Sequence, residues 1–267
     1  MALELQTYPS ATEASAALMG GGKSYLGGGT LVVRAVNEGD IGITGYVRST
    51  DMALKAIETS GGRARLGASV TMADIIGNAD LAVLAQAARM IGGPAIRNVA
   101  TVGGNLFAAS PYGDFTVALL ALGATIHFAD GEMGIDAFLA GRDGVTAERG
   151  IVTAVSFEIP AAERFRFLKI SRVKPKGVSV LTIAAAISLD GGGTVSEARI
   201  ALGCMADRPV RAQAAEKALV GSDLSESGIA RAVEVIGEGT TPITDPIASA
   251  WYRAEVLPVH FRRLMLD

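Results

Sequence analysis

The sequence predicts an α+β protein in which short strands and helices alternate. Up to about residue 160, strand-like runs are interleaved with helix-like runs, and glycine-rich turns separate them. Beyond that point, three strand-like runs are followed by helix-like runs. The 33 glycines show no repeat period, which favours many short elements over a fibre. With 267 residues, 49% of them hydrophobic, the chain can bury the core of two domains or of one large domain.

The first fifty residues predict a strand, a helix, a second strand and a glycine loop. Residues 3–8 alternate like a strand. Ser10 and Glu13 have the spacing of a capping box, so we expect Ser10 to begin a helix. A short strand at residues 23–26 then leads into the loop Gly27-Gly28-Gly29-Thr30-Leu31. This unit presents the loop at the end of a strand.

The middle of the chain predicts further short elements. Strands are expected at residues 40–46, 63–68, 124–128 and 151–159. Helices are expected at residues 49–59, 71–76, 81–90 and 115–122. Between the last two strands, residues 136–139 predict a loop or a helical turn.

A domain boundary is expected at residues 160–163. After it, strands are expected at residues 164–171, 179–189 and 197–202. Helices are expected at residues 210–220, 224–235 and 249–264. These elements predict a separate C-terminal α+β domain whose sheet is covered by helices on one face.

Charge and composition exclude several classes of function. The net charge is −3 and the Lys and Arg residues are scattered, so neither nucleic acid nor an anionic membrane is an expected partner. The start of the chain lacks a secretory signal and no apolar run could span a membrane, so we expect a cytoplasmic protein without membrane insertion. One cysteine, Cys204, and two histidines, His127 and His260, are too few for an iron-sulfur cluster or a structural zinc site. We assign no metal site.

Two glycine segments are the candidates for ligand binding. The N–H groups of Gly27-Gly28-Gly29 can form a concave nest that suits a phosphate. Gly103-Gly104 lies between Thr101 and Asn105, which predicts a turn that cradles a ligand. Taken alone, each segment is more typical of a tight turn, but two in one chain predict one nucleotide held by two loops. Neither has the G-x-G-x-x-G spacing, which excludes a Rossmann domain.

Six short segments carry a family resemblance: residues 27–31 (GGGTL), 66–71 (LGASVT), 96–105 (IRNVATVGGN), 110–114 (SPYGD), 169–172 (KISR) and 250–253 (AWYR). They span nearly the whole chain, and the block from Arg97 to Asp114 is the most specific of them. In this order they resemble the FAD-binding, or medium, subunit of the molybdenum hydroxylases, the family of xanthine dehydrogenase and carbon monoxide dehydrogenase.

The resemblance implies both a fold and a domain division. Residues 1–55 and 56–160 correspond to the two subdomains of an FAD-binding fold of the vanillyl-alcohol oxidase (PCMH) type. Residues 161–267 correspond to a C-terminal α+β domain of the CO dehydrogenase flavoprotein type. FAD is therefore the implied cofactor of this chain.

The resemblance also implies which residues bind FAD, and it assigns no catalytic residue. The pyrophosphate is held by the backbone N–H groups of Gly27, Gly28, Gly29, Thr30 and Leu31. The other side of the cofactor is lined by Thr101, Gly104, Asn105, Ser110 and Asp114. Asp114 accepts hydrogen bonds from the nucleotide part, and its alternative role is a favourable charge at a helix N-terminus.

Two further residues correspond to positions at the flavin ring. Lys169 matches a lysine near the isoalloxazine, where a cation favours an anionic reduced flavin. Val152 matches a backbone position set against the ring. The chain departs from the family pattern after Arg172, where many members have a basic and then an acidic residue; here the loop reads Val-Lys-Pro-Lys-Gly at residues 173–177. Because this loop influences access to the flavin, the final electron acceptor is left open.

The implied function is electron transfer within a larger enzyme. Electrons pass from 2Fe-2S clusters on a small partner subunit through FAD to an external acceptor, while hydroxylation takes place at a molybdopterin cofactor on a large partner subunit. The complex is expected to be a dimer of heterotrimers. The alternatives are a stand-alone FAD-dependent oxidoreductase of the same fold and a nucleotide-binding module without redox chemistry. Co-purifying chains with cysteine clusters distinguish the first of these alternatives, and a colourless protein indicates the second.

Overall fold

A computed structural model describes residues 3–19, 21–110, 112–173 and 177–267, and it confirms the α+β class. The chain divides into two compact units, each described here by itself. Unit 1 comprises Met1–Leu81, Gly92–Ala108 and Ala124–Glu158. Unit 2 comprises Ala82–Ile91, Ala109–Gly123 and Ile159–Asp267. The subdomain boundaries expected at residues 55/56 and 160/161 stay a prediction.

The elements follow one another as short strands and helices. In chain order they are β1 (Glu4–Tyr8), α1 (Ala11–Leu18), β2 (Lys23–Tyr25), α2 (Val32–Asn37), β3 (Gly45–Ser49), β4 (Ile57–Ser60), β5 (Arg63–Gly67), α3 (Met72–Gly77), α4 (Ala82–Arg89), α5 (Pro94–Arg97), α6 (Val102–Leu106), α7 (Asp114–Ala121), β6 (Thr125–Phe128), β7 (Gly131–Gly134), α8 (Ile135–Arg149), β8 (Ala154–Glu158), β9 (Phe165–Ser171), β10 (Ser179–Leu189), β11 (Val195–Gly203), β12 (Val210–Arg211), α9 (Gln213–Leu219), α10 (Glu226–Val235) and α11 (Ala250–Leu266). Short 3₁₀ turns lie at Met52–Lys55, Ala79–Leu81 and Ala162–Arg164.

Unit 1 contains two sheets. The smaller has the strand order β1-β3-β2 and is parallel throughout. Helix α1 connects β1 to β2. The Ser10 hydroxyl accepts a hydrogen bond from the Glu13 N–H, which confirms Ser10 as the N-cap of this helix. The larger sheet is antiparallel, with the order β4-β5-β8-β6-β7. One face of it is apolar and buried, with Ala64, Leu66, Ile126, Val155 and Phe157.

Unit 2 is built on the antiparallel sheet β12-β11-β10-β9. Alternate residues of β10 pack with the C-terminal helices α9, α10 and α11 in a buried cluster that includes Leu181, Ile183, Leu219, Ile229 and Phe261. The sequence predicted helices on one face of this sheet only. That prediction was wrong, because α7 packs on the opposite face and every residue of α7 is buried. The sheet therefore has helices on both faces, one of them supplied from the middle of the chain.

Two other local predictions were wrong and a third was incomplete. Residues 57–60 form a strand because they pair with β5, whereas residues 49–59 were predicted as a helix. Residues 136–139, predicted as a loop or a helical turn, are helical but belong to the 15-residue helix α8, which has Ile135, Phe138 and Leu139 as its buried residues near the start. Residues 210–211 pair with β11 before α9 begins. In each case pairing or packing with a distant segment outweighs the local pattern. None of the helices in the described part of the chain is both long and apolar enough to span a membrane.

Candidate functional site

The glycine loop between β2 and α2 is the part of the site best suited to bind an anion. The N–H of Leu26 donates to the Val47 carbonyl, which is the last sheet hydrogen bond before the loop. The next five N–H groups, those of residues 27–31, find no acceptor among the residues that the structure describes. Gly29 has a φ of +73°, a conformation that favours glycine. Because these N–H groups belong to consecutive residues and are only partly covered, they can act together on one anionic group.

The residues just before the second glycine pair lie beside the glycine loop. A Cβ on Gly28 would lie 1.6 Å from the Val99 carbonyl oxygen, so only glycine permits this approach of one backbone to the other. Thr101 is the common neighbour of two further glycines, since a Cβ on Gly27 or on Gly104 would lie 3.0 Å from its hydroxyl oxygen. The structure therefore brings Gly27, Gly28, Thr101 and Gly104 together within unit 1.

Gly103-Gly104 is not the open turn that the sequence predicted, since both residues lie in the first turn of α6. The Gly103 N–H donates to the Ala68 carbonyl and the Gly104 N–H to the Thr101 hydroxyl. The Asn105 backbone N–H and its side-chain amide, at 2.8 Å, both donate to the Thr101 carbonyl. These N–H groups already have partners within the chain. These hydrogen bonds therefore fix the first turn of α6 against Ala68 and Thr101.

Val152 lies in the short segment between α8 and β8 and is 4% exposed. The N–H of the next residue, Thr153, donates to the backbone carbonyl of His127, and the Thr153 carbonyl accepts from the Ala68 N–H. Ala68 in turn accepts from the Gly103 N–H, so Val152 is held close to the start of α6. Within the described chain no acceptor faces the Val152 N–H, although the residue is buried.

The remaining predicted site residues lie in unit 2. Lys169 of β9 and Asp114 of α7 form an ion pair with an Nζ to Oδ2 distance of 2.8 Å, and each side chain is 7% exposed. The Lys169 ammonium also donates to the Met90 carbonyl at 3.0 Å. Ser110 donates its hydroxyl to the Ala206 carbonyl at 3.1 Å. The lysine is thus not an ordinary solvated surface residue.

Sequence reasoning missed two residues that complete this cluster, Ser179 and Thr182 on β10. The Ser179 hydroxyl donates to Asp114 Oδ1 at 2.6 Å, and the Thr182 hydroxyl donates to the same oxygen. Both side chains are fully buried. Their one sequence signal is two hydroxyl residues in an otherwise apolar stretch of strand, which does not identify a partner about 65 residues earlier in the chain.

Two groups close to predicted site residues have shifted pKa values: Tyr25, which precedes the glycine loop in unit 1, and Cys204, which lies near Asp114 in unit 2. Burial raises the pKa of the Tyr25 hydroxyl, and hydrogen bonds involving Ser49 and Ser69 offset part of the rise. Burial, and then the charge of Asp114, raise the pKa of the Cys204 thiol to about 12. Both groups stay protonated at neutral pH, so Cys204 is neither a nucleophile nor a metal ligand. The described residues also contain no cluster of three or more His, Cys, Asp and Glu side chains that could hold a metal ion.

One part of the predicted departure from the family pattern cannot be located. Residues 174–176 of the loop after Arg172 lie outside the described residues. On either side of them, the Gly177 N–H donates to the Val173 carbonyl at 2.7 Å.

Comparison with known proteins gives two family matches and a shared fold. Residues 4–162 match the FAD binding domain in molybdopterin dehydrogenase, and residues 166–267 match the CO dehydrogenase flavoprotein C-terminal domain. The glyceraldehyde dehydrogenase medium chain of Sulfolobus acidocaldarius is 29% identical over 216 residues, which are 77% of this chain and 76% of that protein. The carbon monoxide dehydrogenase medium chain of Afipia carboxidovorans is 28% identical over 221 residues, 79% and 76% of the two chains.

The fold predicted from the sequence is confirmed by a solved structure. A chain of the reconstituted CO dehydrogenase from Oligotropha carboxidovorans matches with a TM-score of 0.88 and 24% identity, covering 99% of this chain and 96% of that one. At this identity the match shows the fold alone. The first family match spans more than half of the sequence. This chain therefore belongs to the family of FAD-binding domains of the molybdopterin dehydrogenases.

Proposed function

We propose that this chain is the FAD-carrying electron-transfer subunit of a molybdopterin-dependent dehydrogenase. Its partners would be a small subunit that holds 2Fe-2S clusters and a large subunit that holds molybdopterin, in a dimer of heterotrimers. The names of the relatives support this assignment, because they are medium chains of dehydrogenases. The single cysteine also supports it, since one buried thiol cannot hold a cluster.

The observation that carries the proposal is the run of five N–H groups at residues 27–31 that have no acceptor in the described chain. A pyrophosphate offers several anionic oxygens to successive N–H donors, and charge-assisted hydrogen bonds of this kind are about twice as strong as neutral ones. The loop lies against Val99 and Thr101, so its shape is held by packing and not by the ligand alone. These residues fit an FAD pyrophosphate.

The remaining predicted contacts are part of the same proposal. In unit 1 the Val152 N–H lacks an acceptor in the described chain, which suits a polar atom of the flavin. In unit 2 two of the three Lys169 N–H groups have acceptors, and the third has none among the described residues although the side chain is 7% exposed. We propose that Lys169 and Ser110 contact the cofactor. Asp114 has three donors on its two oxygens, so we assign it a role through Lys169.

FAD supplies a carrier that can accept electrons one at a time and deliver them in pairs, which suits an exchange between clusters and a two-electron acceptor. The residues of this chain bind and orient it. The glycine loop neutralises the pyrophosphate, the segment before α6 keeps the loop in place, and Lys169 provides a fixed positive charge. The raised pKa values of the Tyr25 hydroxyl and the Cys204 thiol keep both groups protonated at neutral pH, so neither acts as a general base.

The test is the visible absorption spectrum of the purified chain, alone and co-expressed with chains that bear cysteine clusters. We expect flavin bands from the chain alone, FAD as the cofactor released on denaturation, and added iron-sulfur absorption in the complex. Absence of flavin from both preparations would overturn the proposal. Flavin without any cluster-bearing partner, together with turnover by the chain alone, would favour a stand-alone oxidoreductase.

A further inference from the structure

We infer that Ser179 and Thr182 are positioning residues that fix the Lys169 cation through the carboxylate of Asp114. The inference rests on the proposed function, in which Lys169 acts on bound FAD. It adds two residues that no sequence motif indicates, and it gives Asp114 a task different from contact with the nucleotide.

The two hydroxyls reach one carboxylate oxygen because β10 is irregular. In a regular strand residues 179 and 182 point to opposite faces of the sheet. The register between β9 and β10 shifts between Ser179 and Leu181, and both hydroxyls then face Asp114 at the start of α7. An irregularity of this kind commonly serves to redirect a side chain. Here it places a second donor on the face that α7 covers.

The two oxygens of the Asp114 carboxylate have different partners. Both hydroxyl protons go to Oδ1, and Oδ2 is left to the Lys169 ammonium at 2.8 Å. The carboxylate torsion of an aspartate is intrinsically broad, so donors on one oxygen are needed to hold the other oxygen in one place. Ser179 and Thr182 are fully buried, which excludes water as a substitute donor.

Lys169 is fixed by two acceptors that lie on different segments of unit 2. One is Asp114 Oδ2 and the other is the Met90 carbonyl just after α4, at 3.0 Å. Two acceptors define where the third N–H points. If Thr182 loses its hydroxyl, Asp114 keeps one donor on Oδ1 and can turn, and the ammonium then loses one of its two fixed partners.

The consequence for a bound flavin is electrostatic. Reduction adds negative charge to the ring, and a fixed cation nearby stabilises that charge without reorganising. A cation that moves among several positions stabilises it less. The reduction potential of the bound FAD is therefore expected to depend on the Thr182 hydroxyl, although this hydroxyl is buried and donates to Asp114.

The experiment measures the midpoint reduction potential of FAD in the full chain by spectroelectrochemical titration. Thr182→Val removes the hydroxyl at nearly constant shape, and Thr182→Ser keeps it. Thr194→Val is the matched control, since Thr194 lies in the β10–β11 turn of the same unit and its side chain takes no part in the cluster. Lys169→Met removes the cation itself. FAD content and thermal unfolding are recorded for each variant.

We expect the potential to fall most in Lys169→Met and less in Thr182→Val, and to stay at the wild-type value in Thr182→Ser and Thr194→Val. A folded Thr182→Val protein with wild-type potential, beside a lowered Lys169→Met potential, would overturn the positioning role and leave the proposed function intact. An unchanged potential in Lys169→Met would overturn the inference, because the Lys169 cation would then have no effect on the flavin. Wild-type protein without FAD would instead mean that the proposed function has failed.

Discussion

At the scale of single residues, Arg253 of unit 2 is a buried charged side chain with an extensive set of hydrogen bonds. It is fully buried at the start of α11. Its guanidinium donates to both oxygens of Asp245, at 2.9 and 3.1 Å, and to the carbonyls of Val180, Ile243 and Ala248. All five N–H donors of the side chain thus have acceptors. Arg253 joins the loop before α11 to β10, which accounts physically for the arginine in the AWYR segment at residues 250–253.

Replacing Arg253 by Met should strongly destabilise unit 2. The substitution leaves the Asp245 carboxylate and three carbonyls without their donor, and breaking a buried pair in this way costs about 3 to 5 kcal/mol. Urea unfolding of the full chain measures the loss. Arg262→Met is the matched control, because Arg262 pairs with Glu226 at the surface and such pairs contribute about 1 kcal/mol or less. Equal stability of the two variants would contradict this account.

The same ion pair predicts a dependence of stability on pH. Burial acts to raise the pKa of Asp245, but hydrogen bonds from the Ala248 N–H, the Arg253 guanidinium and the Ile247 N–H outweigh it, and the pKa lies below its ordinary 3.8. The unfolded chain therefore binds the proton at a higher pH than the folded protein does. Asp245 contributes stability above its unfolded pKa, and this contribution is lost as the pH falls through the folded pKa.

The measurement compares the free energy of unfolding of wild-type protein and Asp245→Asn between about pH 6 and pH 2. We expect the advantage of the wild type to be largest at the upper end and to shrink as the pH falls below 3.8. The subtraction removes the contribution of other carboxylates, including exposed Asp223, whose pKa is lowered by hydrogen bonds from Ser225. A difference that is constant with pH would show that Asp245 titrates alike in both states.

At the scale of elements, the contact between the glycine loop and the segment before α6 depends on Gly28. Gly28→Ala would place a Cβ 1.6 Å from the Val99 carbonyl oxygen, so one of the two backbones must move. We expect the loop to lose more than one of the N–H contacts that we propose it makes to the FAD pyrophosphate, each worth about 1.5 to 3 kcal/mol. FAD affinity should fall by about a hundredfold or more. Released FAD per protein chain measures it.

Gly141→Ala is the matched control for the glycine loop. Gly141 lies inside α8, its φ is not positive, and a Cβ there would meet nothing within 4 Å. The substitution should stabilise the helix by about 0.5 to 1 kcal/mol and leave FAD content unchanged. If both variants lose FAD equally, the close approach at Gly28 is not what shapes the site.

The same elements show what the sequence can and cannot predict. The glycine loop and the N-cap at Ser10 are local features, and the structure has both where the sequence predicted them. Residues 57–59 were predicted as a helix end because nothing in residues 49–59 reveals β5 as their partner. Likewise Ser179 and Thr182 join the cluster through α7, and no local pattern relates a strand to a helix so far away along the chain. Local chemistry was predictable, whereas long-range pairing was not.

At the scale of the whole molecule, the family boundary and the compact units do not coincide. The two family matches divide at residues 162–166, yet unit 2 includes α4 and α7 from the N-terminal side of that division. Helix α7 is buried along its whole length and is apolar except for Asp114 and Thr116. A Cβ on Gly203 of β11 would lie 2.8 Å from the Val117 side chain, which shows how closely the helix packs on the sheet. Unit 2 is therefore a discontinuous unit of the chain.

Cutting the chain at the family boundary should therefore yield no stable C-terminal domain. A fragment of residues 163–267 loses α7, whose Phe115, Val117, Leu119 and Leu120 are buried. Fully burying one such side chain contributes about 1.5 to 3 kcal/mol, so the loss is comparable with the 5 to 15 kcal/mol that stabilises a typical domain. The fragment also leaves the hydroxyls of Ser179 and Thr182 without their acceptor. We expect it to lack a cooperative urea transition and near-ultraviolet circular dichroism, and co-expression with residues 1–162 to restore both. Cooperative unfolding of the isolated fragment, with the stability of unit 2 in the full chain, would show that α7 covers the sheet without being required for its fold.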